Sequence, residues 1–305
     1  MKTYKIGIVG YGHVGRAMHR LFEDWVYAIH DPFVPIPDSV KSGQTAVNDC
    51  DLAIVCVPTP EAPAGDCDTS IVESSVGWCT APLILIKSTV TVGTTRRLAE
   101  KYKKKIVFSP EYFGEYPYQD RLEMFRDPRL WPFQIFGGQP RETSACVEIF
   151  KARLSPETSF FQTDYETAEL TKYMENAFLA LKVTFANEMY EVAGRFGVSY
   201  DTLRELWALD PRVGPMGKRH TAVYEKNRGY GGKCLPKDLR ALIKAAVDKG
   251  YRPSLLQQVD RCNLVFQGKT IPPDKDPSKS SHCYLPPSDG YMHYGSFAGR
   301  FDDSH

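Results

Sequence analysis

The chain has 305 residues, of which 42% are hydrophobic and 25% charged, and its formal net charge is +1. This length suggests two domains of ordinary size. The near-zero charge gives no support for a nucleic-acid or acidic-membrane surface. The longest apolar runs, such as Leu52–Val57, are far shorter than the ~20 residues that a membrane span needs. The composition therefore predicts a soluble globular protein with neither nucleic acid nor membrane as a partner.

The cysteine pattern indicates a reducing compartment. Eight cysteines are present and no two have CxxC spacing, so neither a disulfide scaffold nor a metal site is predicted. The first residues, Met1–Lys5, lead directly into a strand-like stretch without the apolar segment of a signal peptide. Both observations favour a cytoplasmic protein with reduced thiols.

Short apolar runs alternate with helical stretches in the first half of the chain. Strands are predicted at Tyr4–Val9, Trp25–Ile29, Leu52–Val57, Leu83–Ile86, Lys105–Phe108 and Gln134–Phe136, and helices at Gly15–Glu23 and Thr94–Tyr102. Near-continuous apolar strands separated by helices predict an α/β domain, placed at residues 1–162, whose parallel sheet is covered on both faces.

A Gly-x-Gly-x-x-Gly motif at Gly10–Gly15 follows the first strand and opens the next helix. Its glycines permit a tight turn and let the backbone approach a pyrophosphate at the helix N-terminus. Asp31 follows Gly10 by 21 positions, where a carboxylate can accept hydrogen bonds from an adenosine ribose. The pattern predicts a Rossmann-like NAD-binding domain. It assigns six residues to the cofactor, namely Gly10, Gly12, His13, Val14, Gly15 and Asp31; an unrelated βα turn is the alternative.

The second half of the chain is predicted to be helical. Tyr165–Phe196 has no proline and keeps its apolar residues at helical spacing. Shorter helices are predicted at Asp201–Leu209, Pro236–Lys249 and Ser254–Gln267, with a polar loop at Arg212–Tyr230. These elements predict an all-helical central domain at residues 163–267. Residues 268–305 are rich in Pro, Ser, Asp and Gly without a period and are predicted to form an irregular tail.

Cys234 lies in a glycine-rich stretch at residues 229–238 that also holds Pro236 and two lysines. Proline suits the first turn of a helix, which places Cys234 at or just before a helix N-terminus. The helix dipole and the lysines would stabilise a thiolate there. Asp238 follows one helical turn later, and a thiol beside a carboxylate suits nucleophilic catalysis with proton transfer. A structural cysteine is the alternative.

The stretch Gly-Tyr-Gly-Gly-Lys-Cys-Leu-Pro-Lys-Asp resembles the active-site motif of the UDP-glucose/GDP-mannose dehydrogenase family. Other family signatures are resembled, in family order, by Val57–Pro60, Lys87–Val90 with Gly93 and Thr94, Ser109–Phe113 with Glu115, Ala168–Tyr173 with Asn176, Lys182, Asn187 and Glu188, and Asp210–Gly214. The resemblance covers about residues 4–266 and leaves the tail outside it.

This resemblance implies oxidation of a nucleotide-sugar 6-hydroxyl to a carboxylate with two NAD, UDP-glucose being the first candidate substrate. Lys182 and Asp238 would handle the hydroxyl proton and a catalytic water. Cys234 would then capture the aldehyde as a thiohemiacetal, which a second oxidation converts to a thioester.

The resemblance implies roles for further residues. Glu111, with a water positioned by Thr89, would hydrolyse the thioester, and Asn187 would hydrogen-bond the oxyanion. Lys182 and Asn187 are five residues apart, which places them about 140° apart around a helix. The implied cofactor contacts include Thr59, Thr89 and Glu115. The implied substrate contacts are Glu111, Tyr112, Phe113, Glu115, Lys182, Asn187, Arg212, Tyr230 and Gly231.

Family members continue into a third domain that holds the nucleotide, which residues 268–305 are too short to form. The sequence is therefore interpreted as a truncated form. The resemblance also implies a homodimer in which Arg212 reaches the neighbour's substrate. Two alternatives stay open: a dehydrogenase of a smaller alcohol or hydroxy acid, and a non-catalytic NAD-binding protein.

Overall fold

The computed structural model describes residues 3–63, 65–112, 127–213 and 220–270. Four strands are completely buried, as their unbroken apolar sequences predict: β1 (Ile6–Val9), β4 (Leu52–Val55), β5 (Ile84–Ile86) and β6 (Ile106–Phe108). The remaining strands are β2 (Val26–His30), β3 (Lys41–Ser42), β7 (Phe133–Gly137) and β8 (Ser159–Thr163).

These strands form one sheet in the order β3-β2-β1-β4-β5-β6-β7-β8. All neighbours are parallel except β6 and β7, which pair antiparallel through Phe108 and Gly137. The strand order changes direction between β1 and β4. In open α/β sheets, ligands bind at the carboxyl ends of the strands at such a point.

Alternate side chains of the sheet enter two separate apolar clusters. Along β4, Leu52 and Ile54 pack with helices α1 (His13–Phe22) and α5 (Pro140–Lys151). Ala53 and Val55 point to the other face. They pack there with α2 (Gln44–Asn48), α3 (Ser70–Trp78) and α4 (Thr94–Tyr102). The sheet is thus covered on both faces, and the predicted α/β fold is confirmed.

The helical part begins directly after β8. Helix α6 spans Tyr165–Arg195 and is capped by Asp164, whose carboxylate accepts a hydrogen bond from Thr167 N at 2.8 Å. It is followed by α7 (Tyr200–Trp207), α8 (Leu235–Asp248) and α9 (Ser254–Phe266). Among the described residues, no helix combines the length and apolar character needed to cross a membrane.

Small side chains let α6 pack closely on the two last helices. Ala177, Ala180 and Val183 of α6 form one buried cluster with Leu239 of α8 and Val259 of α9. Residues up to Lys269 form one compact unit. The predicted tail lies outside the described residues from position 271 onward.

Several elements are absent from the sequence-based prediction. Helices α2, α3 and α5 and strands β3 and β8 were not anticipated. The reason for β8 is visible in its sequence, Ser-Phe-Phe-Gln-Thr, because three of its five residues are exposed at the sheet edge and no apolar run marks it. Helix α5 begins at a proline, a start signal that is easily taken for the end of a strand.

A buried carboxylate joins α6 to the sheet part. Glu169 is completely buried, and its carboxylate accepts hydrogen bonds from Gly93 N at 2.6 Å, Thr95 N at 2.9 Å and Thr95 Oγ1 at 2.5 Å. Glu169 therefore caps the N-terminus of α4. Burial raises the pKa of Glu169 from 4.5 to about 7, although these hydrogen bonds act in the opposite direction.

The raised pKa of Glu169 predicts a pH-dependent stability. The folded protein binds this proton more tightly than the unfolded chain, so the contribution is fully present below about pH 4.5 and is lost as pH rises to about 7. We expect the unfolding free energy of the native protein, relative to Glu169→Gln, to fall by about 2–3 kcal/mol between about pH 5 and about pH 7. Urea unfolding at both pH values measures this difference. A constant difference between the two proteins would contradict it.

Candidate functional site

The first turn after β1 requires glycine at two positions. Gly10 has a φ of +89°, and a Cβ there would lie 2.7 Å from the carbonyl oxygen of Cys56. At Gly15 a Cβ would lie 2.1 Å from the oxygen of Gly10. Nothing lies within 4 Å of the corresponding position at Gly12. Together with the exposed His13 and the partly buried Val14, Gly12 leaves open space at the start of α1.

Asp31 fixes the same turn from the end of β2. Its Oδ2 accepts a hydrogen bond from Tyr11 N at 2.6 Å, and its Oδ1 accepts from Phe33 N at 2.8 Å and Val34 N at 3.0 Å. Burial alone would raise the pKa of Asp31, but the three backbone hydrogen bonds outweigh it and hold the pKa below its usual value. An ionised carboxylate therefore stands at this strand end.

A cleft of about 1060 Å³ opens beside this turn and runs along α1. It is bordered by Gly12 and His13 at the helix start, by Arg16 one turn later, and by Val34 and Val40 across from them. The open space over Gly12 and the positive end of α1 fit a pyrophosphate, and Asp31 fits a ribose. These residues therefore fit NAD, and their assignment to the cofactor stays a prediction.

The ends of β4 and β5 meet at a buried thiol. The Cys67 thiol donates to the carbonyl oxygen of Thr89 at 3.4 Å and to that of Thr59 at 3.6 Å. Thr59 is buried and Thr89 is partly buried. Lys237 Nζ of α8 lies 3.3 Å from Cys67 Sγ. The two predicted cofactor residues Thr59 and Thr89 are thus brought next to the start of α8.

Cys234 and Asp238 stand one turn apart at the start of α8. Cys234 is the N-cap residue and is exposed, and its carbonyl oxygen accepts Asp238 N at 2.8 Å. Asp238 is only 1% exposed. Its Oδ1 accepts Lys237 Nζ at 2.6 Å, and its Oδ2 accepts Asn176 Nδ2 of α6. The one-turn spacing of Cys234 and Asp238 agrees with the sequence-based prediction. Asn176 and Lys237 are the further residues that contact the Asp238 carboxylate.

The charge of Lys237 is retained despite its burial. Burial by itself would lower the pKa of Lys237, but Asp238 and Cys67 outweigh it and hold the pKa above its usual value. The result is an ammonium–carboxylate pair in which the carboxylate is almost completely removed from solvent.

Glu111 lies at the end of β6 and is paired with a lysine. Its Oε2 is 3.5 Å from Lys87 Nζ, and both side chains are buried. Its Oε1 accepts Tyr112 N at 2.8 Å. Lys172 Nζ of α6 lies 5.1 Å from the centre of the Tyr112 ring and donates to Glu175 Oε2 at 3.1 Å. Lys172 is therefore brought beside the β6 end.

Glu175 links these groups electrostatically to the start of α8. Burial raises the pKa of Glu175, and the nearby carboxylates of Glu111 and Asp238 raise it further against the opposing effect of Lys172. The carboxylates of Glu111 and Asp238 thus both act on Glu175, with which Lys172 is paired. We call Glu111, Lys172, Glu175, Asn176 and Asp238 the acid cluster.

The structure brings neither Lys182 nor Asn187 to the acid cluster. Lys182 follows Lys172 by ten residues, about 15 Å along the helix. Its Nζ lies 5.9 Å from the ring centre of Phe178, a side chain that is 59% exposed. The contacts of Lys172 make it a second candidate for the proton-handling role, and the role expected of Lys182 stays a prediction.

Asn187 is occupied by the loop that precedes Cys234. Its Nδ2 donates to Val183 O at 2.8 Å, and its Oδ1 accepts Arg228 Nε at 2.6 Å and Gly229 N at 3.2 Å. This carboxamide therefore holds the loop in place. The sequence itself contains a signal for Lys172 and Asn176 as site residues in place of Lys182 and Asn187. Lys172 and Asn176 are four residues apart and share one helix face.

Tyr230 also differs from its expected role as a substrate contact. Its side chain is completely buried in the cluster formed by α6, α8 and α9. Its backbone N donates to Asn263 Oδ1 at 2.7 Å. At the preceding Gly229, where φ is +79°, a Cβ would lie 2.3 Å from that oxygen. Tyr230 therefore anchors the glycine loop, whereas Gly231 is partly exposed.

The remaining predicted site residues are Arg212, Phe113 and Glu115. The Arg212 side chain is 89% exposed and pairs with Asp210 at 2.6 Å. Phe113 and Glu115 lie outside the described residues. In the part of the chain that is described, no group of three or more His, Cys, Asp or Glu side chains could hold a metal ion.

Two models of one protein family match the sequence. The NAD binding domain of the UDP-glucose/GDP-mannose dehydrogenase family matches residues 39–129, and the central domain of that family matches residues 166–264. The UDP-glucose 6-dehydrogenase of Rhizobium meliloti is 27% identical over 287 residues, which cover 80% of this chain and 64% of that protein. The UDP-glucose 6-dehydrogenase of Pseudomonas aeruginosa is 29% identical over 232 residues, which cover 70% of this chain and 49% of that protein.

A solved structure shares the fold. The UDP-glucose dehydrogenase of the hyperthermophilic archaeon Pyrobaculum islandicum superposes with a TM-score of 0.73 at 26% identity, covering 87% of this chain and 68% of that one. The chain thus spans about half to two thirds of the length of the two curated relatives named above. The two family models together match more than half of the 305 residues. The chain therefore belongs to the UDP-glucose/GDP-mannose dehydrogenase family and carries its NAD-binding domain.

Proposed function

We propose that this chain oxidises the 6-hydroxyl of a nucleotide sugar to a carboxylate, with UDP-glucose as the first substrate to test. One observation carries the proposal: the buried Asp238 carboxylate, held by Lys237 and Asn176, lies one helical turn after Cys234. NAD supplies the hydride acceptor, so that one hydroxymethyl group, two NAD⁺ and one water give one carboxylate, two NADH and three protons. The names of the matched relatives support UDP-glucose as substrate.

The first oxidation needs a group that takes the hydroxyl proton and a cation that stabilises the alkoxide. Asp238 is the acceptor for that proton, directly or through a water. Lys172, packed on Tyr112 and bonded to Glu175, supplies the positive charge within the acid cluster. Asn176 fixes Asp238 by donating to one of its oxygens. An alkoxide beside an ammonium group is strongly stabilised in a site that excludes water.

The second half of the reaction uses the thiol of Cys234. The thiolate adds to the aldehyde carbon, forming a C–S bond and a thiohemiacetal, and the second oxidation turns this into a thioester. Water then breaks the C–S bond and releases the carboxylate and the thiol. Glu111, held in place by Lys87, is the base for that water. The position of Cys234 at the N-terminus of α8 favours its thiolate.

The test is the reduction of NAD by the purified chain with UDP-glucose, GDP-mannose and simple 3-hydroxy acids in parallel. We expect two NADH for each sugar carboxylate formed. Replacing Cys234 with Ser should lower the rate of carboxylate formation at least about 100-fold, because a hydroxyl is a poorer nucleophile than a thiolate.

The outcome of this assay separates the candidate functions. Reduction of NAD by the 3-hydroxy acids alone would make the chain a dehydrogenase of small substrates. Carboxylate formation at the native rate by Cys234→Ser would remove the thioester from the proposal. Mass spectrometry of the sugar product measures both results.

The choice between Lys172 and Lys182 yields a further prediction. We expect Lys172→Met to lower kcat by about 100-fold or more, since it removes the cation next to the developing alkoxide. Lys182→Met is the matched comparison, because it removes the same charge from the same helix ten residues later. Steady-state NAD reduction measures both rates. A larger loss in Lys182→Met would restore the assignment made from the sequence.

We propose that the chain forms a homodimer through the outer face of α6. Large apolar side chains recur along this face with mostly four-residue spacing, and α7 extends the patch. They are Leu170, Met174, Phe178 and Phe185 of α6 and Leu206 of α7, each 46–72% exposed. A contiguous apolar patch of this kind marks an interaction surface, and a two-fold dimer is the simplest closed assembly.

Light scattering tests the dimer. We expect a mass of about twice 34.4 kDa for the native chain, and a shift towards the monomer in Phe178→Asp, which places a charge in the apolar patch. Phe33→Asp is the control, because Phe33 is 91% exposed on the sheet part. A native mass that stays at 34.4 kDa over all concentrations would exclude the dimer.

A further inference from the structure

The segment after β4 folds back on itself before α3 begins. Ala62 N donates to Asp66 O at 2.8 Å, and Asp68 N donates to Pro60 O at 2.8 Å. An isolated antiparallel bridge pairs Glu61 with Cys67. The turn therefore places the side chains of Glu61 and Cys67 near one another, at the carboxyl end of the sheet.

Cys67 connects three separate elements through one sulphur atom. It is only 5% exposed. Its S–H donates to the carbonyl oxygens of Thr59 and Thr89, after β4 and β5, and its Sγ accepts Lys237 Nζ of α8 at 3.3 Å. Cys67 thus links the ends of β4 and β5, where the predicted cofactor residues Thr59 and Thr89 lie, with the helix that carries Asp238.

A second contact between the same turn and the same helix lies one turn further along α8. Both oxygens of Glu61 lie 3.2 Å from Arg240 Nη1. Arg240 also bonds to Asp260 of α9 at 3.2 Å. Because Lys237 and Arg240 are three residues apart, both contacts use one side of α8. The turn therefore holds α8 at two points.

The Cys67 contact is the one that bears on Asp238. The Lys237 ammonium has three donors, one of which goes to Asp238 and another to Cys67. The Asp238 carboxylate also faces three groups on α6. Asn176 donates a hydrogen bond to it, and its charge raises the pKa values of Tyr173 and Glu175. A buried donor that loses its partner must move or pay the full desolvation penalty. Without the Cys67 sulphur, Lys237 would turn to another acceptor and Asp238 would shift with it.

We propose that Cys67 is a positioning residue for the dehydrogenase reaction, holding Asp238 through Lys237 at a fixed place relative to the ends of β4 and β5. The inference rests on the proposed function. The structural part of this inference can be tested separately from the proposed function, because the contacts of Cys67 order the start of α8 whether or not the substrate is a nucleotide sugar.

Three variants test this role. Cys67→Val keeps a small apolar volume and removes both the donor and the acceptor. Cys67→Ser restores them on a smaller atom. Cys146→Val is the control, because it makes the same Cys-to-Val replacement at a cysteine that is completely buried in the apolar cluster between the sheet and helices α1 and α5.

For Cys67→Val we expect kcat with UDP-glucose and NAD to fall about 10- to 100-fold, as a misplaced catalytic group predicts. KM for NAD should change less than about threefold, since Cys67 hydrogen-bonds Thr59 and Thr89 only at their backbone oxygens and the Gly10–Gly15 turn is untouched. Cys67→Ser should recover most of kcat, and Cys146→Val should keep it even where urea unfolding shows an equal loss of stability. An unchanged kcat in Cys67→Val, or equal losses in Cys67→Val and Cys146→Val, would overturn the proposal.

Amide hydrogen exchange gives a readout that does not need activity. In Cys67→Val the amides of Asp238 and Leu239 should exchange faster than in the native chain, while Cys146→Val leaves them unchanged. If the native chain reduces no NAD with any nucleotide sugar, the proposed function fails, and faster exchange at these amides still supports the positioning role. Unaltered exchange in Cys67→Val contradicts it.

Discussion

A carboxylate that is 1% exposed must find its hydrogen bonds inside the protein, and Asp238 imposes this constraint on the packing around it. Its two oxygens are satisfied by Lys237 from its own helix and by Asn176 from α6. Because Lys237 is itself largely buried, it needs an acceptor besides Asp238, and Cys67 supplies it from the sheet part. The contact of α8 with the sheet and that of α8 with α6 are thus both required by one buried charge.

The approach to Cys234 is fixed by residues far from it in sequence. Asn263 of α9 brackets the backbone of Tyr230, accepting from its N and donating to its O. Asn187 of α6 accepts from Arg228 and Gly229. Arg228 is further held between the rings of Tyr190 and Phe266. An exposed cysteine thereby sits at the end of a loop whose preceding residues are anchored, so its exposure does not imply a loose backbone.

Those features that depend on local pattern could be predicted from the sequence. The buried strands follow from unbroken apolar runs, and the cofactor turn follows from three glycines and Asp31, because each residue type is required by local backbone geometry or charge. The edge strand β8 and helix α3 lack such a pattern. The spacing of Lys172 and Asn176 was a local signal for Lys172, but Lys182 lies on the same long helix, and only packing against β6 and α8 distinguishes the two lysines. Cys67 gave no signal, because its partner Lys237 lies 170 residues later.

Helix α6 is one uninterrupted element of 31 residues, and it touches different parts of the protein at set intervals along its length. Near its start Glu169 caps α4, in its middle Asn176 meets Asp238, and further on Asn187 holds the glycine loop. Inserting a single residue between two of these positions would turn every later contact by about 100° around the axis. Between Glu169 and Asn187 an insertion or deletion would therefore break the contacts of the helix on one side of the change, whereas a change of length in a connecting loop would leave all three contacts in register.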